Sequence, residues 1–179
     1  MKSNLKNRLF GIFTSALLGY MWGWIWGWSL FDPNSDIWAL AAGLCTVLGL
    51  LLGLTPYFWR YANIFLTATL GLYLSWIART LIFGDVPGGW GIALMAAGAI
   101  IGAWLGLSLN RQAKKTTTPI LMGVLYAGFF GGFLIDVVLL DAILGAVQTH
   151  SILSQAPAVV VCGVMGGVVM ARRGKDYHG

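Results

Sequence analysis

Glutamate does not occur in this chain, and all six acidic residues are aspartates. Histidine appears only as His150 and His178, cysteine only as Cys45 and Cys162, and charged residues make up 9% of the 179. A soluble domain carries about 25% charged residues. Too little charge is present to cover a water-facing surface, so a soluble globular protein is excluded. No histidine lies in an apolar segment, which removes the ordinary axial ligand of haem. The two cysteines form no CxxC or Cys/His cluster, so neither a metal nor any other cofactor is expected. They read as small packing residues inside spans rather than a disulfide. HExxH, GxSxG and GxxxxGK patterns are absent, and no in-span His or Lys is available to activate Ser75 as a nucleophile. Catalysis is not expected.

What is abundant is apolar surface and glycine. Hydrophobic residues reach 58%, glycine numbers 25, and the mean hydropathy is +0.79. A helix crossing the hydrocarbon needs about 20 apolar residues. Six segments of that kind stand at about 9–31, 37–57, 61–83, 89–109, 119–145 and 151–171. All five prolines, Pro33, Pro56, Pro87, Pro119 and Pro157, fall at or near their ends, where proline disturbs a helix least. The expected fold is all-α, a polytopic integral membrane protein forming one compact bundle of six transmembrane helices with short loops. Residues 1–179 make a single transmembrane domain.

Charge orients the bundle. Lys2, Lys6 and Arg8 precede span 1, Arg60 follows span 2, Arg111, Lys114 and Lys115 follow span 4, and Arg172, Arg173 and Lys175 follow span 6. Those are ten of the eleven Lys and Arg. The other connections carry Asp32, Asp36 and Asp85. Basic excess marks the cytoplasmic side, so both termini are expected there. The membrane is expected to be a bacterial inner (plasma) or thylakoid membrane. Trp24, Trp26, Trp28, Trp38, Trp76 and Trp90 fall at the outer level, with Tyr57, Trp59 and Tyr61 at the inner one, as interfacial aromatics do. The net charge of +5 then meets anionic lipid of the bilayer, not nucleic acid. The basic, apolar N-terminus lacks a convincing small-x-small cleavage site and reads as a retained first helix.

Small residues recur every fourth position. Span 1 carries Gly11, Ser15, Gly19, Gly23 and Gly27, span 2 carries Gly49 and Gly53, and span 4 carries Gly98, Gly102 and Gly106. Residues four apart share a helix face, and such rows let backbones approach where lipid offers no hydrophobic drive. Packing within the chain is the simpler use. A face for a second copy or for partner membrane subunits is the other, with span 1 its best candidate. Spans 2, 4 and 6 each show a GxxxG pair followed by a basic residue: Gly49/Gly53/Arg60, Gly102/Gly106/Arg111 and Gly163/Gly167/Arg172. Glycine-rich spans that must end in a positive loop explain this more simply than a repeated hairpin.

Ionisable residues inside spans are expensive and mark function. Three qualify, Arg79 in span 3 with Asp136 and Asp141 in span 5, all expected in the outer half of the membrane. Asn63, Thr67, Gly71, Ser75 and Arg79 form one polar row on span 3; Gly128, Gly132 and Asp136 form another on span 5. Facing each other, these rows would pair Arg79 with Asp136. Transport of a small solute or ion, by an oligomer or with partner subunits, is the leading expectation. A non-catalytic structural or assembly subunit, packing through its glycine faces, is the alternative. Six helices in a chain of this size with cytoplasmic ends resemble, in size and topology, the substrate-binding subunits of energy-coupling vitamin transporters.

Gly23→Leu separates the two uses of the span 1 row. Internal packing predicts loss of folded protein on size exclusion, whereas a partner face predicts a folded chain that no longer forms its complex.

Overall fold

The computed structural model of the chain describes residues 5–31, 36–55, 57–83, 89–111, 117–132, 135 and 152–176. Every regular element among them is helical: α1 (Leu5–Leu30), α2 (Ile37–Leu54), α3 (Phe58–Phe83), α4 (Gly89–Arg111), α5 (Thr117–Tyr126) and α6 (Ile152–Asp176). α5 continues into a π-helical turn, Ala127–Gly131. Helices α1 to α4 each contain a stretch long and apolar enough to cross a membrane. The apolar stretches of the last two are shorter, Thr117–Gly131 and Ala158–Arg172. The second half of the expected fifth span lies largely outside the described residues.

Helix ends depart from the apolar boundaries for local reasons. α1 starts at Leu5 and α3 at Phe58, because backbone pairing carries on through the polar and aromatic flank of a span. α2 stops at Leu54 rather than at 57. Thr55, which precedes Pro56, is extended at φ −73° and ψ 144°, as the clash with a following proline ring requires. Its hydroxyl and amide both donate to the Leu52 carbonyl, at 2.6 and 3.0 Å, which satisfies an orphan acceptor of the last turn.

The chain divides into two compact units. The first comprises Met1–Trp76 and Val86–Asn110 and contains two antiparallel helix pairs, α1–α2 and α3–α4. In the α1–α2 pair the backbones nearly touch. A Cβ built on Gly49 would stand 2.9 Å from the Ser15 carbonyl carbon and 3.1 Å from the Ala16 Cα, and one on Gly23 would stand 2.6 Å from the Ala42 Cα. The α3–α4 pair repeats the arrangement. A Cβ on Gly102 would stand 2.9 Å from the Thr67 carbonyl carbon and 3.0 Å from the Ala68 Cα.

The correspondence holds along both seams. Ser15 and Thr67 are 52 residues apart, as are Gly19 and Gly71, while Gly49/Gly102 and Gly53/Gly106 are each 53 apart. The hydroxyl chemistry repeats too. Ser15 donates to the carbonyls of Gly11 and Ile12 at 2.9 and 3.0 Å, and Thr67 to those of Asn63 and Ile64 at 2.6 and 3.2 Å. Each hydroxyl is thereby satisfied by its own helix, so a polar side chain sits in the seam without needing a partner across it.

α1 and α3 run parallel in this unit. Phe10 stacks on Trp59 with centroids 6.2 Å apart, Trp22 Nε1 donates to Thr69 Oγ1 at 2.9 Å, and Trp24 meets Trp76 edge-on at 5.1 Å. Met21, Ile25, Leu66, Leu72 and Met95 are fully buried. α3 is the central helix, with 50% of its apolar window buried, and α2 the peripheral one, with 11%. Leu40, Leu44, Leu48 and Leu51 of α2 all face outward. A water-soluble protein of this size rarely exposes such a patch; hydrocarbon accepts it.

The second unit comprises Ile77–Asp85 and Arg111–Gly179, and its seam lies between α5 and α6. Gly128 faces the Gly163 Cα, at 3.4 Å from its built Cβ, and Gly163 faces the Val124 carbonyl oxygen at 3.3 Å. Val124, Gly128 and Gly132 against Val159, Gly163 and Gly167 thus occupy the stations of Ser15, Gly19 and Gly23 against Cys45, Gly49 and Gly53. The GxxxG pairs of spans 2, 4 and 6 are equivalent seam positions in three like helix pairs. This corrects the reading of that pattern as a by-product of loop charge.

The seams predict a sharp contrast. Gly49→Leu or Gly102→Leu forces a side chain into backbone and should cost about 3 kcal/mol, the upper part of the range for overpacking. A Cβ on Gly43 meets nothing within 4 Å, so Gly43→Ala should stabilise α2 by about 0.5–1 kcal/mol. Thermal unfolding in detergent checks both.

Candidate functional site

The polar row of span 3 lies on the most buried helix of the first unit. Asn63 is 9% exposed and Thr67 7%; Ser75 is half-buried and donates to its own Gly71 carbonyl at 2.5 Å. The row turns toward α4. A Cβ on Gly106 would overlap the Thr67 hydroxyl and stand 2.5 Å from the Ile64 Cα, and one on Gly98 would overlap the Ser75 hydroxyl. The glycines that make room for the span 3 hydroxyls are therefore those of α4.

The expected facing of the span 3 and span 5 rows is corrected accordingly. Gly128 and Gly132 are occupied by α6, with a Cβ on Gly132 standing 2.9 Å from the Val159 Cα. Glycine rows pair with the neighbour that permits closest backbone approach, and here that neighbour is the next helix in the chain. Thr67 and Ser75 are seam residues that satisfy themselves. They line no water-accessible path among the described residues.

Arg79 differs from the rest of its row. It is 3% exposed, one turn before the end of α3, and it holds at least one interaction with its surroundings. The segment carrying it, Ile77–Asp85, groups with Arg111–Gly179, whereas the hydroxyl row below it belongs to the other unit. Asp136 and Asp141 lie in the sequence of that same second segment but outside the described residues. Among the described residues no cluster of three His, Cys, Asp or Glu exists that would hold a metal ion.

The residues read as a packing or partner face are accounted for within the first unit. Gly19, Gly23 and Gly27 meet Cys45, Ala42 and Trp38 of α2; Gly11 meets the Trp59 indole; Ser15 meets Gly49 and Gly53; Gly98, Gly102 and Gly106 meet α3. Both cysteines also sit against glycine seams, Cys45 at Gly23 and Cys162 at Gly131, and both are free thiols. Trp24, Trp28, Trp38 and Trp76 form a continuous aromatic chain, Trp24–Trp28 at 6.3 Å and Trp28–Trp38 at 6.0 Å, at the level expected of an outer belt.

One feature escapes sequence reasoning. An open groove of about 220 Å³ lies where α1, α2 and the start of α3 meet, with Leu18 and Phe58 buried at its base and Leu48, Leu52 and Phe65 exposed at its rim. Its signal was confined to apolar residues at helical spacing on three separate helices, which looks the same as core. Comparison with known protein families, characterised proteins and solved structures returns no match.

Thr67→Val and Ser75→Ala remove hydroxyls that only bond their own helix. Each should change stability by less than about 1 kcal/mol and leave any flux carried by the protein unchanged. A path lined by these hydroxyls would instead lose flux at unchanged stability.

Proposed function

We propose that the chain is a small, non-catalytic integral membrane protein that moves, or helps move, a small solute or ion, with Arg79 as its working charge. The observation that carries this reading is the burial of Arg79, 3% exposed on a helix apolar enough to span a membrane. An arginine near a helix end ordinarily snorkels to the headgroups, and a snorkelling side chain would lie on the surface. A guanidinium kept inside protein instead carries a desolvation penalty that only a strong polar or anionic partner offsets. Such groups mark ion and substrate routes by default. In this reading Asp136 is the partner and Asp141 stands nearer water. The pair forms an outer gate that a solute or proton opens by competing for one member. The membrane is a bacterial inner (plasma) or thylakoid membrane with both termini cytoplasmic.

A second reading, a structural or assembly subunit of a larger membrane complex, is supported by α2. That helix buries 11% of its apolar window and offers a broad leucine face. With the glycine rows occupied internally, this face is what a partner subunit would cover.

Charge exchange tests the first reading. Arg79→Asp and Asp136→Arg should each reduce the recovery of folded protein, by the roughly 3–5 kcal/mol expected when one member of a buried pair is removed, and the double exchange should restore most of it. Equal damage in all three variants overturns the pairing. Native mass spectrometry of gently extracted protein decides between the readings: a lone chain or small homo-oligomer is expected, and a stable mass with other subunits favours the second.

A further inference from the structure

The seam between α5 and α6 departs from the other two at its middle. In the first unit a Cβ built on Gly19 or Gly71 would overlap the carbonyl oxygen of Cys45 or Gly98 across the seam. At the equivalent station of the second unit a Cβ on Gly128 stands 3.2 Å from the Val159 carbonyl oxygen and 3.4 Å from the Gly163 Cα. The facing glycine shows the same. A Cβ on Gly163 stands 3.3 Å from the Val124 carbonyl oxygen and 3.6 Å from the Gly128 Cα, whereas one on Gly49 or Gly102 stands 2.9 Å from a carbonyl carbon. On either side of this gap the two helices touch. A Cβ on Gly166 would overlap the Gly123 carbonyl oxygen, and one on Gly132 stands 2.9 Å from the Val159 Cα.

The gap coincides with the π-helical turn, Ala127–Gly131. α-Helical pairing runs to Tyr126, and beyond the turn the Gly132 amide donates to both the Gly128 and the Phe129 carbonyls. Tyr126 keeps φ −66° and ψ −49°, and Gly132 keeps φ −60° and ψ −47°. The turn is therefore an interruption inside one helix and not its end. A π turn pairs each residue one position further along than an α turn does, so it holds a surplus residue, and such turns are frequent at functional sites. Two glycines stand where the chain leaves it. A Cβ on Gly131 would lie 3.0 Å from the Cys162 Cβ and Sγ, while Gly132 faces Val159.

Glycine weakens a helix relative to alanine, yet Gly128 and Gly163 face each other across a seam in which a Cβ fits after a shift of a few tenths of an ångström. Gly43 also makes no use of its missing side chain, but it lies outside every seam. Glycine at both facing stations is accounted for by a second arrangement, in which the backbones meet there as they do at Gly19 and Gly49. We propose that the α5–α6 pair has two states exchanged by the π turn. The open state is the one described. In the closed state the turn reverts to α-helical pairing and Gly128 and Gly163 come into backbone contact. Reversion removes the surplus residue from the turn, so Gly131 moves toward the station that Gly132 holds opposite Val159. Glycine at both positions lets either residue serve. The chain beyond Gly132 is turned by about 100°, the angle of one residue. Closure gains dispersion along the seam, and opening keeps the contact of Gly131 with Cys162. These two states rest on the path of α5 and α6 alone and are independent of transport.

Fluorine NMR of the full chain in detergent tests this. In a Cys45→Ala background Cys162, half-buried beside Gly131, is the only thiol and takes a trifluoromethyl label. Two resonances are expected, or one broad line that splits on cooling. Gly128→Ala and Gly163→Ala fit the open state and obstruct the closed one. In both variants the same resonance should therefore lose about tenfold of its intensity relative to the other. Gly43→Ala, on a different helix pair, should leave the two lines as they are. A single sharp resonance at every temperature, or two resonances whose ratio neither seam variant changes, overturns the proposal. Loss of folded protein on size exclusion in both seam variants overturns it as well, because the open seam would then have no room for a Cβ. Each of these outcomes stands whatever the result of the Arg79 charge exchange.

Discussion

Everything described in this protein depends on two helical backbones being allowed to touch. In hydrocarbon no hydrophobic drive brings helices together, so dispersion at the closest possible approach must do it. Each seam meets that demand in the same way. Glycine stands wherever a carbonyl or Cα of the neighbour occupies the place of a Cβ, as at Gly19, Gly49, Gly71 and Gly102. Ser15 and Thr67 fill the remaining space while giving their protons to their own helix. A methyl in place of such a hydroxyl would be tolerated; a side chain in place of such a glycine would not.

The seams explain which polar residues are available for function. Asn63, Thr67 and Ser75 look like a route when written as a row, yet two of the three bond inward to the carbonyl four residues back. Polarity at a helix interface in lipid is often the geometry of packing rather than a path for solute. Arg79 stands apart because it is a charged group held 3% exposed, so its surroundings must offset the loss of water. Its turn of α3 falls with the segment whose sequence holds Asp136 and Asp141.

Much of this was legible in the residues. The four long apolar helices and the small-residue rows follow from composition and a period near four, because a long apolar segment has few alternatives to helix in lipid. The pairing of rows was not legible. A glycine row declares that something comes close without saying what, so the span 3 hydroxyls were matched to span 5 when α4 supplied their glycines. The repeat of helix pairs was also missed, because seam positions such as Ser15, Thr67 and Val124 are equivalent in space and differ in kind. The groove at Leu18, Leu48 and Phe65 was hidden for a related reason: a void and a core are lined by the same residues.

The leucines of α2 carry a consequence for how this protein responds to heat. The large heat-capacity change that bends the stability of soluble proteins comes from apolar surface meeting water on unfolding. If a seam such as α1–α2 parts within a bilayer, its glycines meet acyl chains, as the outward leucines do already, and exposure to water hardly changes. The curvature that gives soluble domains a temperature of maximum stability, and a cold limit below it, is then largely missing. In that setting separation of these helices would be governed by packing enthalpy against chain entropy, and cooling would tighten them.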